Sequence, residues 1–208
     1  MKSCYIFGSA EITDYFNIEK PSKDDVTIAA DGGLRNLIKL GRKPDYFIGD
    51  MDSLSDQIPS DVPIDQHPSE KDDTDTFIAV KKGLSLECDR FVFYGCLGGA
   101  LSHTVANLQL LIDLANRKKA AVLIDGKTEI YPLHNDTVSF DETREGKISV
   151  FSFSDQSEGV SIQGLKYELT DAVLTNRFAL GVSNEFIGQK SRVSVKNGDL
   201  ILILEQTV

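Results

Sequence analysis

Up to residue 125 the hydrophobic positions switch between two periods, short apolar runs alternating with stretches of helical spacing. Residues 3–7 form an apolar run that ends at Gly8. Residues 26–30 form a second, followed at once by Asp31-Gly32-Gly33. Leu34, Leu37, Ile38 and Leu40 then lie at helical spacing, and Gly41 stands where a helix C-terminus favours glycine. A third strand is expected over 46–48, ending in Gly49-Asp50, and a fourth over 63–66. Asp73 or Thr74 is placed to cap a helix whose apolar positions are Phe77, Val80 and Leu84. Residues 90–94 read as a strand. The most regular helical period follows, through Leu101, Val105, Leu108, Leu111 or Ile112, and Ala115. Residues 120–124 are a further strand.

After residue 125 the pattern changes. Short strands are expected over 128–133, 137–140, 147–153, 159–162, 166–169, 192–195 and 200–204. They are punctuated by turns such as Asp125-Gly126, Glu145-Gly146 and Asn197-Gly198. No helix of three turns is needed. The expected fold is therefore an α/β N-terminal domain with a Rossmann-like parallel sheet over residues 1–125. An all-β antiparallel sandwich or barrel follows over 126–208. Parallel sheets bind ligands beyond the carboxyl ends of their strands. Three polar segments lie there: Asp31-Gly32-Gly33, Gly49-Asp50-Met51-Asp52-Ser53 and Gly95-Cys96-Leu97-Gly98-Gly99.

Charge narrows the partners. The formal net charge is −10, which argues against nucleic acid and against an anionic membrane surface. No apolar run approaches the roughly 20 residues of a membrane-spanning helix, and the first residues lack a signal-peptide pattern. The three cysteines, Cys4, Cys88 and Cys96, show no metal or redox spacing and read as reduced thiols of a cytoplasmic protein. Tryptophan is absent, so stacking on a ligand must use Tyr, Phe or His. Tyr167, Phe178 and Phe186 are expected in the core or on a sheet face, with one of them as the alternative stacking partner of a ligand ring.

Between Asp50 and Asp75 the chain carries nine carboxylates and a single lysine. Asp50 and Asp52 fit ligation of Mg²⁺, a hard cation that bridges carboxylates to phosphates. They equally fit an acid-rich loop that forms turns and caps a helix. Asp72, Asp73 and Asp75 precede an amphipathic helix, where acids complement the macrodipole. Three within four residues exceed what a cap requires, which points one or more at a metal or substrate. Lys71 either neutralises this cluster or meets a phosphate. The glycine segment 95–99 is a tight strand–helix turn or a phosphate cradle. His103 and Asn107, four apart, share a helix face. His103 is a ligand contact or general base on one reading and a buried, backbone-bonded residue on the other.

In order, these segments resemble the thiamin pyrophosphokinase family. The matching runs are Ala30-Asp31-Gly32-Gly33, Gly49 to Ser53, Lys71-Asp72-Asp73-Thr74-Asp75-Thr76, and Gly95 through His103 to Asn107. Gly164-Leu165-Lys166-Tyr167-Glu168-Leu169 and Gly181-Val182-Ser183-Asn184-Glu185 also match. The resemblance implies transfer of a pyrophosphoryl group from ATP to the thiamin hydroxyl, giving thiamin diphosphate and AMP. It also implies a homodimer with thiamin at the subunit interface. Carried over by position, Asp50, Asp52 and Asp75 hold Mg²⁺. Asp72 or Asp73 is the candidate acceptor of the hydroxyl proton. Asp31, Gly32, Lys71, Thr74, Gly98, Gly99, His103 and Asn107 form the nucleotide site, and Ser183 and Asn184 meet thiamin. Where the family reads Gly-Gly-Arg-x-Asp-His, this chain has Gly98-Gly99-Ala100-Leu101-Ser102-His103, without the cation and the carboxylate. That departure leaves a second expectation: a non-catalytic thiamin- or nucleotide-binding protein of the same fold.

Overall fold

Six parallel strands carry the first part of the chain in a computed structural model that describes residues 1–12, 14–15, 18–49, 61–66 and 73–206. They are β1 (Ser3–Phe7), β2 (Val26–Ala30), β3 (Tyr46–Gly49), β4 (Ile64–Gln66), β5 (Arg90–Tyr94) and β6 (Ala120–Asp125). Their spatial order is β6-β5-β1-β2-β3-β4. Every position of β1 and β2 is buried, as a sheet covered on both faces demands. From β1 the chain moves outward through β2, β3 and β4, then returns to place β5 on the other side of β1. The direction of winding thus reverses between β1 and β5, where open α/β sheets have their crevice.

Three helices connect these strands: α1 (Gly33–Lys39), α2 (Asp75–Ser85) and α3 (Leu101–Asn116). α1 ends as its sequence requires. Gly41 takes φ +63, the Gly41 amide bonds Ile38 O at 2.9 Å, and Arg42 bonds Leu37 O at 2.9 Å, a Schellman closure. Ile38 faces outward, and Asn36 is buried beside Leu34 and Leu37 instead. Thr74 caps α2, its hydroxyl accepting the Phe77 amide at 3.2 Å. Ile78, Ala79, Val80 and Gly83 make the buried stripe, displaced from the expected Phe77 and Leu84, which are half-buried. In α3 the buried positions are Asn107, Leu110, Leu111 and Leu114. Leu101 is 77% exposed and Val105 is exposed too, against the expected stripe. Periodicity marks a face, but burial also needs a neighbour along its whole length, and Leu101 and Val105 in the opening turns of α3 are left uncovered by the described residues.

The described residues divide into two compact units, 1–110 with 119–126, and 111–118 with 127–208. The second contains β7 (Thr128–His134), β8 (Thr137–Phe140), β9 (Lys147–Ser152), β10 (Gln156–Gln163), β11 (Leu169–Thr175), β12 (Gly181–Glu185), β13 (Ser191–Ser194) and β14 (Asp199–Glu205). Antiparallel pairing gives the orders β12-β9-β14-β7 and β11-β10-β13-β8. The core lies between them. Leu200, Leu202, Ile148 and Val150 come from one layer, and Val160, Ile162, Leu174 and Val193 from the other. Two expectations fail here. The strand placed over 166–169 begins at Leu169 and runs to Thr175, and β12 was not expected as a strand. Gly181-Val182-Ser183-Asn184-Glu185 lacks apolar alternation, and its pairing to β9 slips register between Gly181 and Asn184. Cys4, Cys88 and Cys96 are free and buried. No described helix is long and apolar enough to cross a membrane.

Candidate functional site

The carboxyl edge of the parallel sheet is built by close backbone approach. A Cβ on Gly33 would stand 1.8 Å from the Phe7 carbonyl oxygen, so only glycine lets α1 start against the end of β1. The preceding turn places Asp31 at φ +48, a conformation uncommon for a residue with a side chain. Its amide bonds Ile48 O at 2.8 Å, tying the ends of β2 and β3. Its carboxylate accepts the Ser9 hydroxyl at 3.0 Å, which orients it from the end of β1. Gly32 is the N-cap of α1 and offers no side-chain cap.

Asn36 explains why a polar residue occupies the inner stripe of α1. It is 3% exposed, and its amide donates to Gly8 O and Ala10 O, both at 2.9 Å. Its oxygen accepts the Tyr15 hydroxyl at 3.0 Å. The side chain therefore fixes the exit of β1 at the point where winding reverses. Gly95, at φ +62, packs on the same spot: a Cβ there would lie 2.7 Å from Gly8 O and 2.8 Å from Asn36 Nδ2. The connection from β1 to β2 is strapped down by Glu19. Its carboxylate takes a two-pronged bond from Arg90 at 2.8 and 2.6 Å. Its amide donates to the Tyr94 hydroxyl at 3.1 Å, and its carbonyl accepts Arg42 at 2.9 Å. Burial pushes the Tyr94 phenol up to about 12.

Asp75 lies half-buried in the first turn of α2, directly after the Thr74 cap. Asp73 pairs with Lys81 at 2.5 Å. Asp50, Asp52, Lys71 and Asp72 lie outside the described residues, as does His67. Among the described residues no group of three or more His, Cys, Asp or Glu is arranged to hold a metal.

After β5 the chain runs through exposed Gly98 and Gly99, at φ +86 and +67, to exposed Ala100, Ser102 and His103. Asn107 has another task from His103. It is buried, and its amide donates to Cys96 O at 2.7 Å, holding the base of the glycine segment. Asp125, which the sequence marks only as half of a turn, ends β6 with one carboxylate oxygen buried and without a hydrogen-bond partner among the described residues.

In the second unit Asn184 is 3% exposed and fully engaged. Its oxygen accepts the Tyr167 and Glu185 amides, both at 2.9 Å, and its amide donates to Tyr167 O at 2.6 Å. Tyr167 is thus gripped at both backbone polar groups while its ring is 61% exposed. Lys166, beside that ring, pairs with Glu185 at 2.9 Å. Ser183 is exposed at φ +57, its amide bonded to Ser149 Oγ at 3.1 Å. Phe178 is 70% exposed; of the three aromatic residues expected in the core or on a sheet face, Phe186 packs on the core, edge-on to Phe140. His134 bonds Asp199 at 2.7 Å.

Sequence reasoning passed over Ser9, Asn36, Asp125 and the exposure of Tyr167. Asn36 had a signal: a polar residue interrupts the apolar run of a short helix. Asp125 had another: an acid terminates an apolar parallel strand.

The catalytic-domain profile of thiamin pyrophosphokinase matches residues 19–124, and its vitamin B1 binding domain profile matches residues 135–202. The thiamine pyrophosphokinase of Bacillus subtilis is 30% identical over 183 residues, covering 85% of each chain. Solved structures share the fold. That of thiamine pyrophosphokinase from Bacillus subtilis gives a TM-score of 0.89 at 24% identity, covering 99% of this chain and 100% of the other. The thiamin pyrophosphokinase structure from Geobacillus thermodenitrificans gives 0.83 at 24% identity, covering 100% and 98%. With both domains present in order and a relative this similar along most of its length, the chain belongs to the thiamin pyrophosphokinase family of transferases.

Proposed function

We propose that the protein moves the pyrophosphoryl group of ATP onto the hydroxyl of thiamin, releasing AMP and thiamin diphosphate. The observation that carries this reading is the succession of a catalytic and a B1-binding domain on one chain. We read residues 1–125 as a Rossmann-like nucleotide-binding domain. The reversal of strand order between β1 and β5, with Asp31 and the glycine segment beside it, supports that assignment. Residues 126–208 are the thiamin-binding domain.

The donor set fits Mg²⁺. In sequence Asp50 and Asp52 follow β3, and Asp75 opens α2, so the donors are hard carboxylate oxygens. Asp50, Asp52 and Asp75 would hold the ion, which when bound neutralises charge on the phosphate oxygens. The chain's own residues do the rest by positioning. Ser9 orients Asp31; Gly98 and Gly99 leave backbone open for phosphate approach; Asn107 holds that segment in place. The thiamin oxygen attacks the β-phosphorus, the bond to the α-phosphate breaks, and AMP departs. Asp72 or Asp73 takes the hydroxyl proton, Asp73 with its charge tempered by Lys81.

On the second unit the gripped, exposed Tyr167 suits a ring ligand, with Ser183 beside Asn184 on β12 as the polar contact. Six large apolar side chains stand exposed between residues 167 and 187. Such exposure marks an interaction surface, and we assign it to a second copy of the chain, with thiamin at the junction. Incubation with thiamin and Mg·ATP, followed by separation of nucleotide and thiamin products, tests the reaction. AMP and thiamin diphosphate in equal amounts support it. ADP as product sinks it, and thiamin binding without any AMP points to the non-catalytic alternative.

A further inference from the structure

On the second unit one positive charge stands between an aromatic ring and a carboxylate. The Lys166 ammonium is 5.7 Å from the centroid of the exposed Tyr167 ring and 2.9 Å from Glu185 Oε2. The backbone carrying these groups is fixed independently of that charge. Asn184 binds both backbone polar groups of Tyr167 and also accepts the Glu185 amide. The Lys166 amide donates to the Glu185 carbonyl at 3.1 Å, and Leu165 bridges to Phe186 beside it. Ring and carboxylate are therefore preset, and only the lysine stem between them is free to leave.

Both contacts of the ammonium are weak. The Lys166 and Glu185 side chains are 44% and 41% exposed, and an exposed ion pair gains little over the entropy lost in holding two side chains. At 5.7 Å the cation–π contact is near the outer limit of its range. A lysine ammonium is also compact and strongly hydrated, on a stem that loses rotamer freedom when pinned. A flat cationic ring laid on Tyr167 meets the same two partners with more contact area and less loss of freedom. Thiamin carries a permanent positive charge in its thiazolium ring, and the inference rests on the reading above that places thiamin at Tyr167. We infer that Glu185 is a specificity residue that selects the positive charge of the thiamin ring, and that Lys166 holds the cation's place until the ring displaces it.

The test is calorimetric titration of the full chain with thiamin and with thiochrome, its neutral fused-ring derivative. Wild type is compared with Lys166→Met, Glu185→Gln, the double variant and Tyr167→Ala. Lys166→Met keeps an apolar stem and removes the competing charge, so thiamin should bind about threefold or more tightly. Glu185→Gln leaves the lysine charge uncompensated beside the ring and should weaken thiamin about threefold or more. Adding Glu185→Gln to Lys166→Met should cancel the gain, and none of the three should move thiochrome. Because the side chains exchanged are exposed, melting temperatures should hold. Thiamin binding unchanged or weakened by Lys166→Met overturns the inference, as do equal shifts for thiamin and thiochrome or absence of thiamin binding. If Tyr167→Ala leaves thiamin affinity intact, the placement at Tyr167 falls and the inference with it; if it weakens thiamin while the substitutions at 166 and 185 do nothing, the placement stands and the inference alone is lost. Opposite shifts at 166 and 185 in a protein that forms no AMP from thiamin and Mg·ATP would leave the inference standing and remove the proposed reaction.

Discussion

At the carboxyl edge of the parallel sheet, the groups offered to a ligand are polar and tied to backbone. Ser9 holds Asp31, Asn36 holds the exit of β1, and Asn107 holds the glycine segment. Around β11 and β12, in contrast, the second unit offers bare apolar and aromatic side chains, with one buried amide, Asn184, fixing the backbone beneath Tyr167. In the function proposed above the first region serves charge, where preset dipoles would stabilise phosphate without rearrangement. In the same proposal the second serves a ring and apolar burial. Substitutions should therefore separate along substrate lines, nucleotide for the first region and thiamin for the second.

The largest break in that comparison should come from Asp75→Asn. Turnover should fall by about a hundredfold or more with the melting temperature little changed, as read by product assay and calorimetry. Asn36→Leu should come next. It strips the Gly8 and Ala10 carbonyls of their donor, costing about 1–3 kcal/mol in denaturant unfolding. It should raise the KM for ATP and leave that for thiamin alone. Tyr167→Ala should weaken thiamin by about tenfold, equivalent to about 1.4 kcal/mol, while Tyr167→Phe keeps most of the affinity and neither moves the KM for ATP. A smaller gain is expected from Ala100→Arg with Ser102→Asp. These exposed positions precede or open α3, and restoring the family's charges should raise kcat/KM for Mg·ATP severalfold, near the value of one added charge-assisted contact.

The smallest effect is one of pH. The Arg90 guanidinium holds the Glu19 carboxyl below its ordinary value. Its contribution to stability is thus full above the unfolded-state pKa and is lost as pH falls through the folded one. Asp125 runs opposite: burial raises its pKa, so its protonation favours the fold and that benefit disappears as pH rises through the folded value. Arg90→Ala should flatten the acid limb of a stability–pH curve. Asp125→Asn should remove a loss on the neutral side.

The parallel strands were legible because an all-buried strand bounded by glycine has few other readings: β1, β2 and β5 stand where the apolar runs are. Capping chemistry was equally readable at Thr74 and Gly41. The outward turn of Leu101 and Val105 was not, because a periodic face carries no information on where its cover ends. β12 hid because its backbone pairs without apolar alternation, through a residue at positive φ. Asp31, Gly98 and Gly99 could be named from motifs. Asn36 could not, since its task is to satisfy carbonyls 26 and 28 residues away in sequence. Local pattern does not encode that distance.

The measurement that bears most directly on the division of labour is the product analysis with thiamin and Mg·ATP, run on wild type, Asp75→Asn and Tyr167→Ala. AMP and thiamin diphosphate should form one for one in wild type. Asp75→Asn should lose turnover at saturating substrates, and Tyr167→Ala should regain it when thiamin is raised. ADP as the nucleotide product, or full turnover by Asp75→Asn, would contradict the account.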